Sequence, residues 1–366
     1  MKRILVAIGT RPELIKLAPV VTALRQEPGV SVRVLFTGQH RELLDQMATT
    51  FGVTADRDLA VMRDRQTLPE LTARLVTGLD AVLAEEAPDV VLGQGDTTTV
   101  FVSALAAFYR GIPFGHVEAG LRTDDLRRPF PEEGNRRLVS PLTRWHFAPT
   151  AVSADNLRRE NVPESAIHVV GNTVIDALLT VSGSAAPVVH AEGRRLILLT
   201  LHRRESFGAP LVALIEAIAA VLADHPDALL VYPVHPNPEV QGPAQRVLGA
   251  VPNARLVAPL EYRAFVGTMR ACSLVMTDSG GVQEEAPALG VPVLVLRDTT
   301  ERPEGVASGA AFLVGTDPAR VTAAMLAGLR GELRVPGVSP YGDGRAAVRI
   351  VNALLGRPYT PFTASP

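Results

Sequence analysis

Residues 275–304 read VMTDSGGVQEEAPALGVPVLVLRDTTERPE. An apolar run ends at Thr277 and Asp278, and the chain turns at Ser279, Gly280 and Gly281. A helical segment with Glu284 and Glu285 in its first turn follows, and a second apolar run starts at Val293. That is a strand, helix, strand unit of a parallel sheet. The adjacent glycines leave amides uncovered at a helix N-terminus, where free donors and the helix dipole favour a phosphate. An acidic residue a turn further in suits ribose hydroxyls. The segment reads as a nucleotide cradle.

The same alternation runs outward in both directions. Short apolar runs at 4–8, 32–36, 90–92, 196–201, 229–232, 274–276 and 293–296 are separated by amphipathic stretches. One such stretch, 12–24, puts Leu14, Leu17, Val21 and Leu24 on one face and Pro12 in the first turn. The class is α/β, with parallel sheets wrapped by helices. The strand-turn-helix pattern restarts after a small-residue stretch at 182–194. The expectation is therefore two Rossmann-like doubly wound domains facing each other across a cleft. The first spans 1–181 and is rejoined by a C-terminal helix within 345–366; the second spans 182–344. Ligands of such sheets bind beyond the carboxyl ends of the strands.

Composition narrows the function. With 366 residues, 47% of them hydrophobic and 20% charged, the chain can fill two cores. A net charge of -2 gives no field to gather nucleic acid or an anionic membrane. Neither a signal-type apolar segment nor a run near the roughly 20 residues of a membrane span is present, so a cytoplasmic location is expected. A single cysteine, Cys272, excludes a disulfide framework. No histidine pair has zinc-helix spacing and no acidic run has calcium-loop spacing, so no metal is expected.

Other candidate groups stand at strand ends. Arg11, in Gly9-Thr-Arg-Pro-Glu13, is either a fixed cation for a diphosphate or a solvated surface arginine. Asp96, in Gly95-Asp-Thr-Thr-Thr99, is either an N-cap or a working carboxylate. Glu118 ends a further strand in His116-Val-Glu-Ala-Gly120, where the glycine lets another group approach. Glu132 and Glu133 open a helix after two prolines. Capping would explain each carboxylate separately, but not why all three sites should point into one cleft. His202, beside Arg203 and Arg204, reads as a pyrophosphate contact or as a satisfied loop histidine; His235 is similarly placed after Tyr232-Pro-Val. Neither the first turn nor Gly93-Gln-Gly95 carries the glycine spacing of a dinucleotide fold, which argues against a nicotinamide cofactor.

Taken in order, Arg11, the Gly95-Asp-Thr97 turn, His116-Val-Glu-Ala-Gly-Leu-Arg-Thr123, Pro131-Glu-Glu133, Gly171-Asn-Thr173, His202-Arg-Arg-Glu205 and the 275–304 stretch resemble the non-hydrolysing UDP-N-acetylglucosamine 2-epimerases. The resemblance extends through Pro340-Tyr-Gly-Asp-Gly344. It implies a fold of the GT-B glycosyltransferase type and a homodimer. It also implies interconversion of UDP-GlcNAc and UDP-ManNAc with no added cofactor, for cell-surface polysaccharide.

Carried over by position, nucleotide contacts fall on Arg11, Lys16, His202, Leu260, Phe265, Ser279, Gly280, Gly281, Glu285 and Arg302. Phe265 would lie against uracil and Glu285 on the ribose. Asp96, Glu118 and Glu132 are the acid and base candidates, with Arg136 beside them, and His202 is grouped with them because it serves the departing diphosphate. A second, activating UDP-GlcNAc site would use Gln39, Arg65, Arg203 and His235, with Glu42 standing where some members have glutamine. Gln94 stands where histidine is common. A GT-B glycosyltransferase, a hydrolysing epimerase and a silent UDP-GlcNAc sensor are the competing readings; the crowd of carboxylates speaks against the first and the last, and the lack of room for a kinase domain against the second.

Overall fold

In the computed structural model, residues 1–38, 41–63, 65–203, 207–335, 337 and 339–364 are described, with backbone alone at 41–43, 45 and 46. They form two compact units, one of 1–177 with 342–364 and one of 178–341.

The first unit begins with β1 (Lys2–Ile8), α1 (Arg11–Arg25), β2 (Val30–Phe36), α2 (Arg41–Phe51), β3 (Arg57–Asp58), α3 (Leu68–Glu86) and β4 (Val90–Gln94). It continues with α4 (Thr98–Tyr109), β5 (Phe114–Val117), α5 (Glu132–Val139), β6 (Thr143–Ala148), α6 (Ala151–Arg159), β7 (Ile167–Val169) and the start of α7 (Thr173–Ser182). The strand order is β3-β2-β1-β4-β5-β6-β7 and every pairing is parallel. The sheet reverses direction of growth between β1 and β4, which opens a crevice at their carboxyl ends.

The second unit contains β8 (Arg195–Thr200), α8 (Ala209–Asp224), β9 (Ala228–Pro233), α9 (Pro238–Leu248), β10 (Ala254–Val257), α10 (Tyr262–Ala271) and β11 (Leu274–Thr277). It ends with α11 (Gly280–Ala288), β12 (Val293–Val295), α12 (Pro303–Ala307), β13 (Ala311–Leu313) and α13 (Pro318–Leu329). Its parallel order, β10-β9-β8-β11-β12-β13, repeats the first sheet's logic, with the switch between β8 and β11. The last helix, α14 (Ala346–Leu354), packs against α1 in the first unit.

Burial explains why these runs form parallel strands. Along β8, Ile197 and Leu199 join a core with α8, α9 and α13, while Leu196 and Leu198 join a separate core containing Met269, Val282 and Ala286. Successive side chains point to opposite faces, and both faces are covered by helices. Each such leucine contributes roughly 1.5–3 kcal/mol by leaving water.

Local signals set the helix starts. Glu13 reaches back to the Thr10 amide at 3.3 Å, and Pro12 occupies the first turn of α1. At α4 the cap is Thr97, whose hydroxyl accepts from the Val100 amide at 3.4 Å. Asp96 is therefore not the N-cap, because the helix starts one residue later than a cap at 96 requires. The stretch 183–194 lies in the second unit and packs on α10, where the Val188 amide donates to Thr268 Oγ1 at 3.2 Å. Among the described residues, no helix is long and apolar enough to cross a membrane.

Candidate active site

In the first unit the candidate residues gather at the carboxyl ends of β1, β4 and β5. Arg11 is the first residue of α1 and is half-buried, and Lys16 lies one turn further along. Asp96 follows β4. Its Oδ2 accepts two bonds from Arg136, at 2.9 Å from Nε and 2.6 Å from Nη2, a charge-assisted grip that fixes the carboxylate. Arg136 also reaches Glu133 at 3.1 Å, and Asn135 donates to the Asp96 carbonyl at 2.8 Å. The α5 helix thus braces the β4 turn.

Glu118 directly follows β5 with φ 64°, a left-handed conformation that an ordinary side chain avoids. The turn points its carboxylate into a nest of donors: Lys16 Nζ, Gln94 Nε2 and Asn172 Nδ2, the last at 3.0 Å. The nearby Gly120 has φ 92°, and a β-carbon there would collide with the Ser153 carbonyl oxygen. Glycine is required because the α6 backbone approaches, not because a ligand does.

Glu132 is the first residue of α5, and its Oε2 is buried without a hydrogen-bond partner. Its neighbour Glu133 is the structural one, wholly buried and bonded to Arg136, Arg137 and the Thr123 amide. His116 lies under the β4 turn with Nε2 at 2.7 Å from the Gly95 carbonyl, and burial pushes its pKa down to about 4. It is a neutral structural group at physiological pH. Burial has the opposite effect on the Glu13 carboxyl, raising it to about 7.

In the second unit the candidates gather at the ends of β8, β9, β10 and β11. The Asp278 carboxylate is fully buried, and its Oδ2 accepts the His202 and Arg203 amides at 2.8 Å each. His202 Nδ1 stands 3.1 Å from Asp278 Oδ1. Burial opposes ionisation of Asp278, but the His202 contacts and the two amides outweigh it and hold its pKa below the usual carboxylate range. The His235 ring stacks on His202, with centroids 6.1 Å apart. Arg203 Nη2 lies 3.6 Å from Glu301.

The α11 helix starts at Gly280 with Ser279 as its N-cap, and the Ser279 side chain makes no cap bond to its first amides. Because it starts so early, Glu284 and Glu285 fall in the second turn, not the first. Glu284 accepts from Arg302 Nε at 2.6 Å, and Glu285 accepts from the Tyr262 hydroxyl at 2.8 Å. Arg302 also meets Glu301 at 3.0 Å, and Glu301 meets Arg297 at 2.8 Å. Burial resists ionisation of Glu301, yet Arg302 and Arg297 draw its pKa down to about 2. Phe265 and Leu260 are half-buried, Phe265 on α10 and Leu260 just before it. The unit therefore presents a helix start without a Ser279 cap bond, Arg302 beside it and an aromatic ring on the preceding helix, a combination suited to a nucleoside diphosphate.

Of the remaining positions, Arg65 is exposed with φ 55°, and Gln39, Arg204 and Glu205 lie outside the described residues, as does the Glu42 side chain. No group of three or more metal-ligating side chains occurs among the described residues. Sequence reasoning passed over Asp278, Gln94, Asn172 and Tyr262 as site residues. Asp278 carries the same signal as Asp96, an acidic residue in the turn that follows a parallel strand. The other three hold the proposed groups through contacts distant in sequence.

The family model for UDP-N-acetylglucosamine 2-epimerase matches residues 22–355. The chain belongs to that family. It is 49% identical over 369 residues to the UDP-N-acetylglucosamine 2-epimerase of Escherichia coli K12, covering 96% of this chain and 98% of that one. The Bacillus subtilis epimerase is 46% identical over 360 residues, with 96% and 95% covered. Among solved structures, that of the Neisseria meningitidis UDP-GlcNAc 2-epimerase bound to UDP-GlcNAc superposes with a TM-score of 0.89 at 43% identity, covering 97% of this chain and all of the other. The two parallel, Rossmann-like sheets are thus those of an epimerase with the GT-B type of fold.

Proposed function

We propose that the protein interconverts UDP-GlcNAc and UDP-ManNAc without releasing free sugar and without an added cofactor. The observation that carries this is the pair of carboxylates at the ends of neighbouring strands, Asp96 gripped by Arg136 and Glu118 gripped by Lys16, in a chain of the epimerase family. A C2 proton with no adjacent carbonyl is too weakly acidic for direct removal. Departure of UDP makes it acidic. The C1–O bond breaks and UDP keeps the electron pair, C1 becomes oxocarbenium-like, and a carboxylate takes the C2 proton to leave a glycal. Delivery of a proton to the opposite face of C2 and return of the UDP oxygen to C1 complete the inversion.

In this scheme the first α11 amides, Arg302, Arg11 and His202 bind the diphosphate and stabilise its charge as it leaves. Phe265 lies against the uracil and Glu285 holds the ribose. Asp96, Glu118 and Glu132 share the proton transfers, since one group returning its own proton would only regenerate substrate. Lys16 serves twice, as a cation for the diphosphate and as the ion-pair partner of Glu118. The product is a donor for cell-surface polysaccharide. The protein acts as a homodimer, and Arg65, Arg203, His235 and Gln39 form a second, activating UDP-GlcNAc site; the packing of His235 on His202 supports a link between that site and the diphosphate contact.

The test is the amide series Asp96→Asn, Glu118→Gln and Glu132→Gln, with turnover and UDP affinity measured in parallel. At least two variants are expected to lose about a hundredfold or more in kcat, the scale of a lost general acid or base, while UDP binds within threefold of wild type. Near-normal turnover in all three overturns the assignment.

A further inference from the structure

Each unit contains a buried carboxylate that ties together the two strand-end turns at its switch point. In the second unit this is Asp278, which follows β11 and accepts the amides of the β8 turn. In the first unit it is Glu13, which is 2% exposed and belongs to none of the groups assigned above. Its Oε2 accepts the Gly9 amide and, at 3.3 Å, the Thr10 amide, both in the β1 turn just before Arg11. Its Oε1 accepts the Thr97 hydroxyl at 2.5 Å, in the β4 turn just after Asp96. That hydroxyl in turn caps α4 through the Val100 amide.

A helix cap alone needs only the first half of this arrangement. The bond to Thr97 spans 84 residues and joins the turn that carries a proposed diphosphate cation to the turn that carries a proposed proton-transfer group. Beneath it, Thr99 Oγ1 bonds Thr37 Oγ1 at 2.9 Å and occupies the space that a β-carbon on Gly9 would need. Neither turn can shift in that direction without colliding with the other.

We propose that Glu13 is a positioning residue for epimerisation: through Thr97 it holds the Asp96 turn in register with the Arg11 turn. This rests on the reading that Asp96 takes part in proton transfer. Glu13 itself touches no reacting atom. Its loss should therefore slow the chemical step and leave the uridine-binding part of the site in the second unit unchanged.

The experiment is a double-mutant cycle of Glu13→Gln and Thr97→Val in the full chain, with kcat, KM, UDP affinity by calorimetry and thermal midpoint measured for each. Glutamine keeps the volume and one acceptor but cannot accept from both turns. Each single variant is expected to lower kcat 10- to 100-fold with UDP affinity within threefold of wild type, and the double variant is expected to be no slower than the worse single. Glu13→Asp, with the same charge and shorter reach, should recover less than a tenth of wild-type kcat. If kcat stays within twofold of wild type in both single variants, or their losses multiply in the double, the proposal is overturned. Asp96→Asn, run alongside, separates the two readings. An active Asp96→Asn enzyme removes the role of Asp96, whereas an inactive one with an active Glu13→Gln removes only the positioning role.

Discussion

The guanidinium of Arg302 occupies the space that a side chain on Gly280 would fill: a β-carbon at Gly280 would lie 2.6 Å from Arg302 Nη1 and 2.7 Å from its central carbon. Gly280 is thus the residue that allows a cation to stand directly over the start of α11, where the Ser279 side chain makes no cap bond. The two features lie side by side because the first residue of the helix has no side chain.

Gly280→Ala should therefore displace Arg302 and break its 2.6 Å bond to Glu284. The expected result is a loss of about tenfold in UDP affinity, or 1.4 kcal/mol, measured by calorimetry. Arg302→Ala should cost a similar amount, and the double variant no more than the larger single effect.

Arg136 is the partner of two carboxylates, one of them fully buried. Replacing it by methionine leaves the buried Glu133 with only Arg137 and the Thr123 amide, and Asp96 without its grip. A stability loss of roughly 3–5 kcal/mol is expected in urea unfolding, together with loss of turnover. Arg136→Lys should restore part of the stability but little activity, because an ammonium cannot reproduce the forked contact.

Burial holds His116 neutral, with its pKa lowered from 6.5 to about 4. In the unfolded chain it protonates near its ordinary value, so between these two values the unfolded state binds more protons than the folded one. The stability contribution is present above pH 6.5 and is lost as pH falls to about 4, a change of about 3 kcal/mol by 1.36 kcal/mol per unit. His146, drawn down to about 3 chiefly by burial, acts in the same direction. His116→Gln should flatten the fall in thermal midpoint over that window, although the raised pKa of Glu13 contributes an opposite slope.

The Tyr262 hydroxyl donates to Glu285 Oε1 at 2.8 Å. Tyr262→Phe should leave the fold intact and lower affinity for UDP about fivefold, with a smaller effect on free diphosphate, if Glu285 holds the ribose. Equal effects on both ligands would remove that role.

Much of the fold was legible in the sequence. The strand ends were marked by Gly95-Asp96, Thr277-Asp278 and Val117-Glu118, where an apolar run stops at a turn-forming or charged residue, and parallel order followed from runs buried on both faces. The start of α11 was misjudged because two glycines read as a turn when the first of them already belongs to the helix. Local patterning did not show the partners of the proposed groups, for a physical reason; only Arg136 stood beside its carboxylate, through the family resemblance. Asn172 on Glu118, Arg136 on Asp96 and Thr97 on Glu13 are 54, 40 and 84 residues apart. Such pairings are fixed by sheet order, which local patterning does not encode.

The most direct test of the central claim is a proton NMR time course of the purified protein with UDP-GlcNAc in deuterated buffer, with no metal or nicotinamide added. UDP-ManNAc carrying deuterium at C2 is expected, appearing together with deuterium at C2 of the remaining UDP-GlcNAc. Epimerisation with the original proton retained, free N-acetylmannosamine with UDP as the sole products, or an unchanged spectrum would each contradict it.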